Sequence, residues 1–315
     1  MREIVVVFPG QGSQYVGMGK KLEADAAFNL FNKADQTLDF SLTTLMFEGP
    51  EDQLKLTKNA QPAIIAHSLA LFAKLETILQ NKNQKVSKVL GHSVGEYAAL
   101  AAAKVLSYED ALKAVHLRGK FMQEAVAPGE GKMYAVMKVP EEIIRKACQE
   151  ASKEGTLVMP ANFNEPNQIV ISGEAEACTR AIKWMEANHP ERFRAIELNV
   201  SAPFHSSFMK PAAQALSKAF TQLTWNKNTT PYIANIDATE YAVGTDTETL
   251  KKNLIDQVTG SVLWTHSIKK LNANTLVIES GPGKVLKGLI AKINPELKVV
   301  CLDDDNSWTE LEELL

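Results

Sequence analysis

The sequence predicts an α/β architecture: a parallel sheet with helices on both faces, interrupted by a small inserted unit with strands of its own. Ile4 to Phe8 (IVVVF) is an unbroken β-branched and aromatic run, the mark of a strand buried on both faces of a parallel sheet. Val86 to Leu90 ends in another apolar run, and the Ala- and Leu-rich segment Glu96 to Leu106 reads as the helix that follows it. Thr275 to Glu279, then G-P-G, then the helical KVLKGLIAKI repeat the strand–turn–helix order, and Lys298 to Leu302 reads as one more strand. Alternation of this kind argues for a sheet covered on both sides.

The middle of the chain has a different rhythm. Strands are predicted at Lys132 to Val139, Thr156 to Phe163, Gln168 to Ser172 and Phe193 to Val200, with helices at Glu141 to Ala151 and Glu174 to Asn188. The order β-α-β-β-α-β is that of a ferredoxin-like unit. Gly129 and Gly131 mark its entry and Ser201-Ala202-Pro203 its exit. The expected organisation is a discontinuous large α/β domain, residues 1–128 and 200–315, with a ferredoxin-like subdomain at 129–199. A cleft between two such units is a usual place for a ligand.

Bulk composition narrows the function. The 315 residues are 45% hydrophobic and 23% charged, enough for a packed core, and the net charge of −3 gives no general attraction to nucleic acid or anionic membrane. The apolar run at the N-terminus stops at Pro9, too short for a signal-peptide core, and no stretch is expected to span a membrane. Cys148, Cys178 and Cys301 are scattered without C-x-x-C spacing and read as small buried hydrophobes in a reducing cytoplasm. No metal-ligand spacing links the six histidines, and no cofactor is implied.

The chemistry is concentrated in G-H-S-V-G, Gly91 to Gly95, between a predicted strand and a predicted helix. In that context G-x-S-x-G is a nucleophile elbow. Its glycines permit a cramped turn that exposes the Ser93 hydroxyl, and the helix N-terminus favours developing negative charge. A glycine-rich turn with an incidental serine is the alternative. Ser93 needs a base. His92 points elsewhere at a sharp elbow, His67 and His116 lie in predicted helices, His189 precedes a proline, and His266 lacks context. His205, in the irregular S-A-P-F-H-S after the small unit returns, is the candidate to deprotonate Ser93 and reprotonate a departing thiol; a core histidine is the competing reading. No acid presents itself as a third member. Glu96 fits a helix-dipole role, and a carbonyl can fix the histidine tautomer instead.

Arg118 falls on the apolar stripe Ala111, Ala114, Val115, Met122 and Ala125 of the helix predicted from Asp110 to Ala127. A guanidinium there needs an anion, either an internal Asp or Glu or a substrate carboxylate. Phe8 to Gln14 (FPGQGSQ) directly follows the first strand and can aim backbone N–H groups into a site. It lacks the spacing of a phosphate-binding loop.

Together FPGQGSQ, GHSVGEYAAL, LRGKFMQEAV, NEPNQIVISG, SAPFHSSFMKPA and GPGKVLKGLI, in order from Phe8 to Ile290, resemble malonyl-CoA:acyl carrier protein transacylases, a family related to polyketide synthase acyltransferases. The resemblance implies an α/β-hydrolase-like large domain with a ferredoxin-like insert. It implies a malonyl ester on Ser93 with His205 as base, and Arg118 as the group that binds the malonyl carboxylate. It also implies that the backbone N–H groups of Gln11 and Val94 form the oxyanion hole and that the main-chain carbonyl of Gln257 orients the histidine. The expected activity is ping-pong transfer from malonyl-CoA to the phosphopantetheine thiol of acyl carrier protein, by a cytoplasmic monomer. A stand-alone polyketide acyltransferase and an acyl hydrolase on the same scaffold are the alternatives; the hydrolase has no need of Arg118.

Overall fold

The computed structural model describes residues 2–127, 129–153, 155–200, 202–304 and 306–315. Pro128 at the predicted domain boundary, Ser201 at the predicted exit, and Asp305 in the acidic tail lie outside the described residues, as do Met1 and Glu154. The strands are β1 (Ile4–Phe8), β2 (Lys88–Gly91), β3 (Gly131–Met137), β4 (Val158–Glu165), β5 (Gln168–Glu174), β6 (Arg194–Glu197), β7 (Tyr232–Ile233), β8 (Glu240–Tyr241), β9 (Leu276–Glu279) and β10 (Lys298–Cys301).

Six strands form the larger sheet in the order β10-β9-β1-β2-β7-β8. Five are parallel, and β8 closes the edge antiparallel to β7, so the predicted parallel sheet carries one antiparallel strand. The apolar run of β1 is explained by burial on two sides. Ile4, Val6 and Phe8 pack into the core under the helices Thr57–Asn81, Gly95–Ala102 and Tyr108–Glu124, while Val5 and Val7 pack against Trp264, Ile268, Leu286 and Ile290 on the other face. The helix Thr57–Asn81 is long and apolar enough, by length and composition, to cross a membrane, against the sequence expectation. Its Ile64, Ile65, Ala66, Ala70 and Leu75 are buried in the protein interior, which accounts for the composition.

The second sheet is antiparallel throughout, in the order β4-β5-β3-β6. The helices Glu141–Ala151 and Ala175–Asn188 cover one face around Val136, Ile144, Phe163, Ile171, Ala181 and Met185. The other face sends Met133, Ala135, Ala161 and Val170 into the main core. Backbone bonds Phe163 N–H to Val262 O (2.9 Å) and Val262 N–H to Ala161 O (2.8 Å), with the Ser261 hydroxyl on Pro160 O (2.7 Å), tie β4 to the segment before the helix Trp264–Ile268. The tail forms the helix Ser307–Leu314, seated by buried Leu311 and by Lys74 over the Trp308 ring at 4.6 Å.

Candidate active site

β2 delivers the chain to Gly91 and the helix Gly95–Ala102 carries it away, with Ser93 at the apex of the turn. Ser93 itself occupies the left-handed region, at φ 52°, a conformation costing a non-glycine residue on the order of 1–3 kcal/mol. The glycines serve a different purpose from the expected backbone freedom. A Cβ on Gly91 would lie 2.0 Å from the Gly95 backbone, and one on Gly95 would lie 2.2 Å from Phe8 O. The strain sits on the serine, and the glycines let β2, the helix and β1 come close enough to hold it. Asn235, just beyond β7, secures the turn: its Oδ1 accepts the Ser93 N–H at 2.7 Å and its Nδ2 donates to Gly91 O at 2.6 Å.

The Ser93 hydroxyl lies 2.8 Å from Nε2 of His205, a buried residue that also has positive φ, 56°. Its Nδ1 lies 2.8 Å from the main-chain oxygen of Gln257. A carbonyl only accepts, so Nδ1 carries the proton and Nε2 presents its lone pair to Ser93. Burial, together with the nearby Arg118 charge, pushes the imidazole pKa down to about 3, so the ring is neutral at physiological pH.

Arg118 is buried on the helix Tyr108–Glu124, as its place on the apolar stripe requires. Beside it, Gly119 admits the backbone of the neighbouring helix: a Cβ there would meet Thr57 O at 2.6 Å. Arg118 Nη2 donates to Ser93 Oγ at 3.2 Å and to Gln257 Oε1 at 3.0 Å, and Nε has no hydrogen-bond partner among the described residues. Among the described residues no Asp or Glu makes an ion pair with this guanidinium, so the internal-pair reading has no support. Gln11, on the loop after β1, donates from Nε2 to Thr57 Oγ1 at 3.2 Å, and Val94 caps the helix after the elbow. Neither the Gln11 nor the Val94 backbone N–H donates to an acceptor among the described residues. Gln11, His92, Ser93, Arg118 and His205 all line one cavity of about 800 Å³, to which the inserted sheet contributes Met133, Asn162, Asn164 and Val170.

The remaining histidines do other work. His92 meets Asn164 Oδ1 at 2.8 Å and packs edge-on to Trp264, with desolvation holding its pKa below the ordinary histidine value. His67 is buried near Asp303, His116 contacts Lys58 O, and His266 pairs with Glu141. Sequence reasoning missed two residues. Asn235 had no signal in the sequence. Glu96, read as a helix-dipole acid, is fully buried: its Oε2 accepts from Gln257 Nε2 at 2.6 Å, and burial pushes its carboxyl up to about 8.

A serine hydroxyl on a strained elbow, a neutral histidine oriented by a carbonyl, and an unpaired guanidinium beside them define the class: an enzyme able to pass an acyl group through a serine ester. Residues 5–282 match the acyl transferase domain family. The chain is 42% identical over 308 residues to malonyl CoA-acyl carrier protein transacylase of Bacillus subtilis, covering 96% of this chain and 94% of that one. It is 37% identical to the transacylase of the same name from Haemophilus influenzae, over the full length of both. Among solved structures, an acyl carrier protein S-malonyltransferase from Vibrio cholerae superposes with TM-score 0.90 at 37% identity, over 98% of this chain and 99% of that one. A type II PKS acyl-carrier protein in complex with its malonyl-transacylase gives TM-score 0.90 at 35% identity, over 99% of this chain and 100% of that one. The chain belongs to the malonyl-CoA:acyl carrier protein transacylase family.

Proposed function

We propose that this enzyme carries malonyl from malonyl-CoA to the phosphopantetheine thiol of acyl carrier protein in two half-reactions at Ser93. The observation that carries the reading is the Ser93 hydroxyl held between His205 Nε2 at 2.8 Å and Arg118 Nη2 at 3.2 Å. In the first half, His205 takes the Ser93 proton as Oγ attacks the thioester carbonyl. The resulting oxyanion is met by the backbone N–H groups of Gln11 and Val94. As the C–S bond breaks, His205 returns the proton to the CoA sulfur, leaving malonyl-serine. In the second half the carrier thiol gives its proton to His205 and attacks the ester, and Ser93 is regenerated with that proton. The Gln257 carbonyl keeps the imidazole in the working tautomer throughout. Arg118, with no carboxylate partner among the described residues, clamps the malonyl carboxylate.

In the same reading the strand order and antiparallel pairing of the second sheet make residues 129–199 a ferredoxin-like subdomain, inserted in an α/β-hydrolase-like domain of residues 1–128 and 200–315. The enzyme acts in the cytoplasm as a monomer, without nucleic-acid or membrane partners, in keeping with a net charge of −3. Incubation with malonyl-CoA and no carrier protein should add one malonyl group by intact mass, absent in Ser93→Ala. An adduct that survives the substitution would falsify the assignment of the nucleophile.

A further inference from the structure

The elbow helix carries a buried acid that the reaction does not consume. Glu96 accepts from Gln257 Nε2 at 2.6 Å, and both its oxygens lie 3.4 Å from the Asn235 N–H. The second Gln257 Nε2 proton goes to Ser93 O at 2.9 Å, and Gln257 Oε1 accepts from Arg118 at 3.0 Å. The Gln257 amide is therefore flanked by acceptors on its nitrogen side, with Asn235 Oδ1 a third at 3.5 Å, and by a guanidinium on its oxygen side. Turning it over would set the amide oxygen against Ser93 O and the amide N–H groups against the Arg118 guanidinium, deep in the protein where neither is compensated by water.

We propose that Glu96 is a positioning residue: through the Gln257 amide it holds the Arg118 guanidinium beside Ser93, and so contributes to the selection of a carboxylate-bearing acyl donor. This inference rests on the reading of Arg118 as the clamp for that carboxylate.

The electrostatics agree with the geometry. The charged and titratable groups facing Glu96 are Arg118 on the helix Tyr108–Glu124, Asp237 beyond β7, and the hydroxyls of Tyr97, Tyr232 and Tyr241. With its carboxyl pushed up to about 8 by burial, Glu96 is mostly protonated at neutral pH and leaves the Arg118 charge available to a substrate. Ionised, it would compete with the incoming carboxylate for the same cation.

The test compares kcat/KM for malonyl-CoA and acetyl-CoA between pH 6.5 and 9 in wild type, Glu96→Ala, Glu96→Gln and Arg118→Ala. Glu96→Ala should raise KM for malonyl-CoA about tenfold while acetyl transfer changes little, the loss expected for one hydrogen bond to an oriented group. Glu96→Gln supplies a neutral acceptor and should stay within about threefold of wild type. The wild-type malonyl-to-acetyl ratio should fall above pH 8, and the Glu96→Gln ratio should stay flat. Equal losses for both donors in folded Glu96→Ala, or no loss for either, would overturn the proposal. Should Glu96→Ala not fold, the pH ratio decides: a Glu96→Gln curve parallel to wild type above pH 8 overturns it. Arg118→Ala separates the two layers. If that variant keeps the malonyl preference, the clamp reading itself fails; if it loses the preference while Glu96→Ala keeps it, only the role of Glu96 fails.

Discussion

The two sides of the reaction centre are built by opposite means. One side is contiguous: Gly91 to Glu96 passes from strand to helix and places Ser93, the Val94 amide and Glu96 within six residues. The other side is assembled from Arg118 and Gln257 on two different helices and from His205 and Asn235 on two separate loops. The contiguous side is strained, with Ser93 at φ 52° and glycines at near-contact distances. The assembled side holds it with hydrogen bonds of 2.6 to 2.9 Å involving Asn235 and Gln257. A local backbone can store strain, but only a network drawn from distant segments can over-determine it.

Three substitutions sharpen that contrast. His205→Ala removes the proposed base from the assembled side and should lower kcat by about 10²–10⁴-fold, with a circular dichroism spectrum like that of wild type. Near-normal turnover in the folded variant would move the base elsewhere. Asn235→Ala takes away the brace: the Ser93 N–H and Gly91 O both lose their side-chain partner. Urea unfolding should show a loss of about 1–3 kcal/mol, and turnover should fall with it. An unchanged midpoint would mean the elbow holds its shape unaided. Ser93→Gly runs the other way. It relieves the left-handed strain and should stabilise the inactive protein by about 1 kcal/mol in the same urea experiment. A destabilised Ser93→Gly would show that the hydroxyl's bonds outweigh the strain.

The inserted unit and the larger sheet differ in legibility as well. The helix Glu141–Ala151 begins and ends where its sequence predicts, and the strands of that unit fall within a few residues of expectation, because Pro140 and the turn at residues 164–167 punctuate the short apolar runs. β7 and β8, two residues each, left no such trace, although Asn235 lies two residues past the end of β7. The buried helix Thr57–Asn81 shows the converse: a helix apolar on all sides carries no sign of which interior it will occupy.

Sequence alone determined the alternation of elements, the position of the elbow, and the burial of Arg118 on an apolar stripe. These are consequences of short-range spacing, where the period of a helix or strand links residues only a few positions apart. Gln257 was identified from resemblance alone, and neither Asn235 nor the buried role of Glu96 was found. Their functions depend on which atoms lie within 3 Å after residues up to 164 positions apart have packed together. Only the tertiary structure decided that Glu96 is desolvated, that Arg118 has no carboxylate partner among the described residues, and that His205 holds its proton on Nδ1. Burial and hydrogen-bond partners arise from the assembled core, and a titratable group in isolation carries neither.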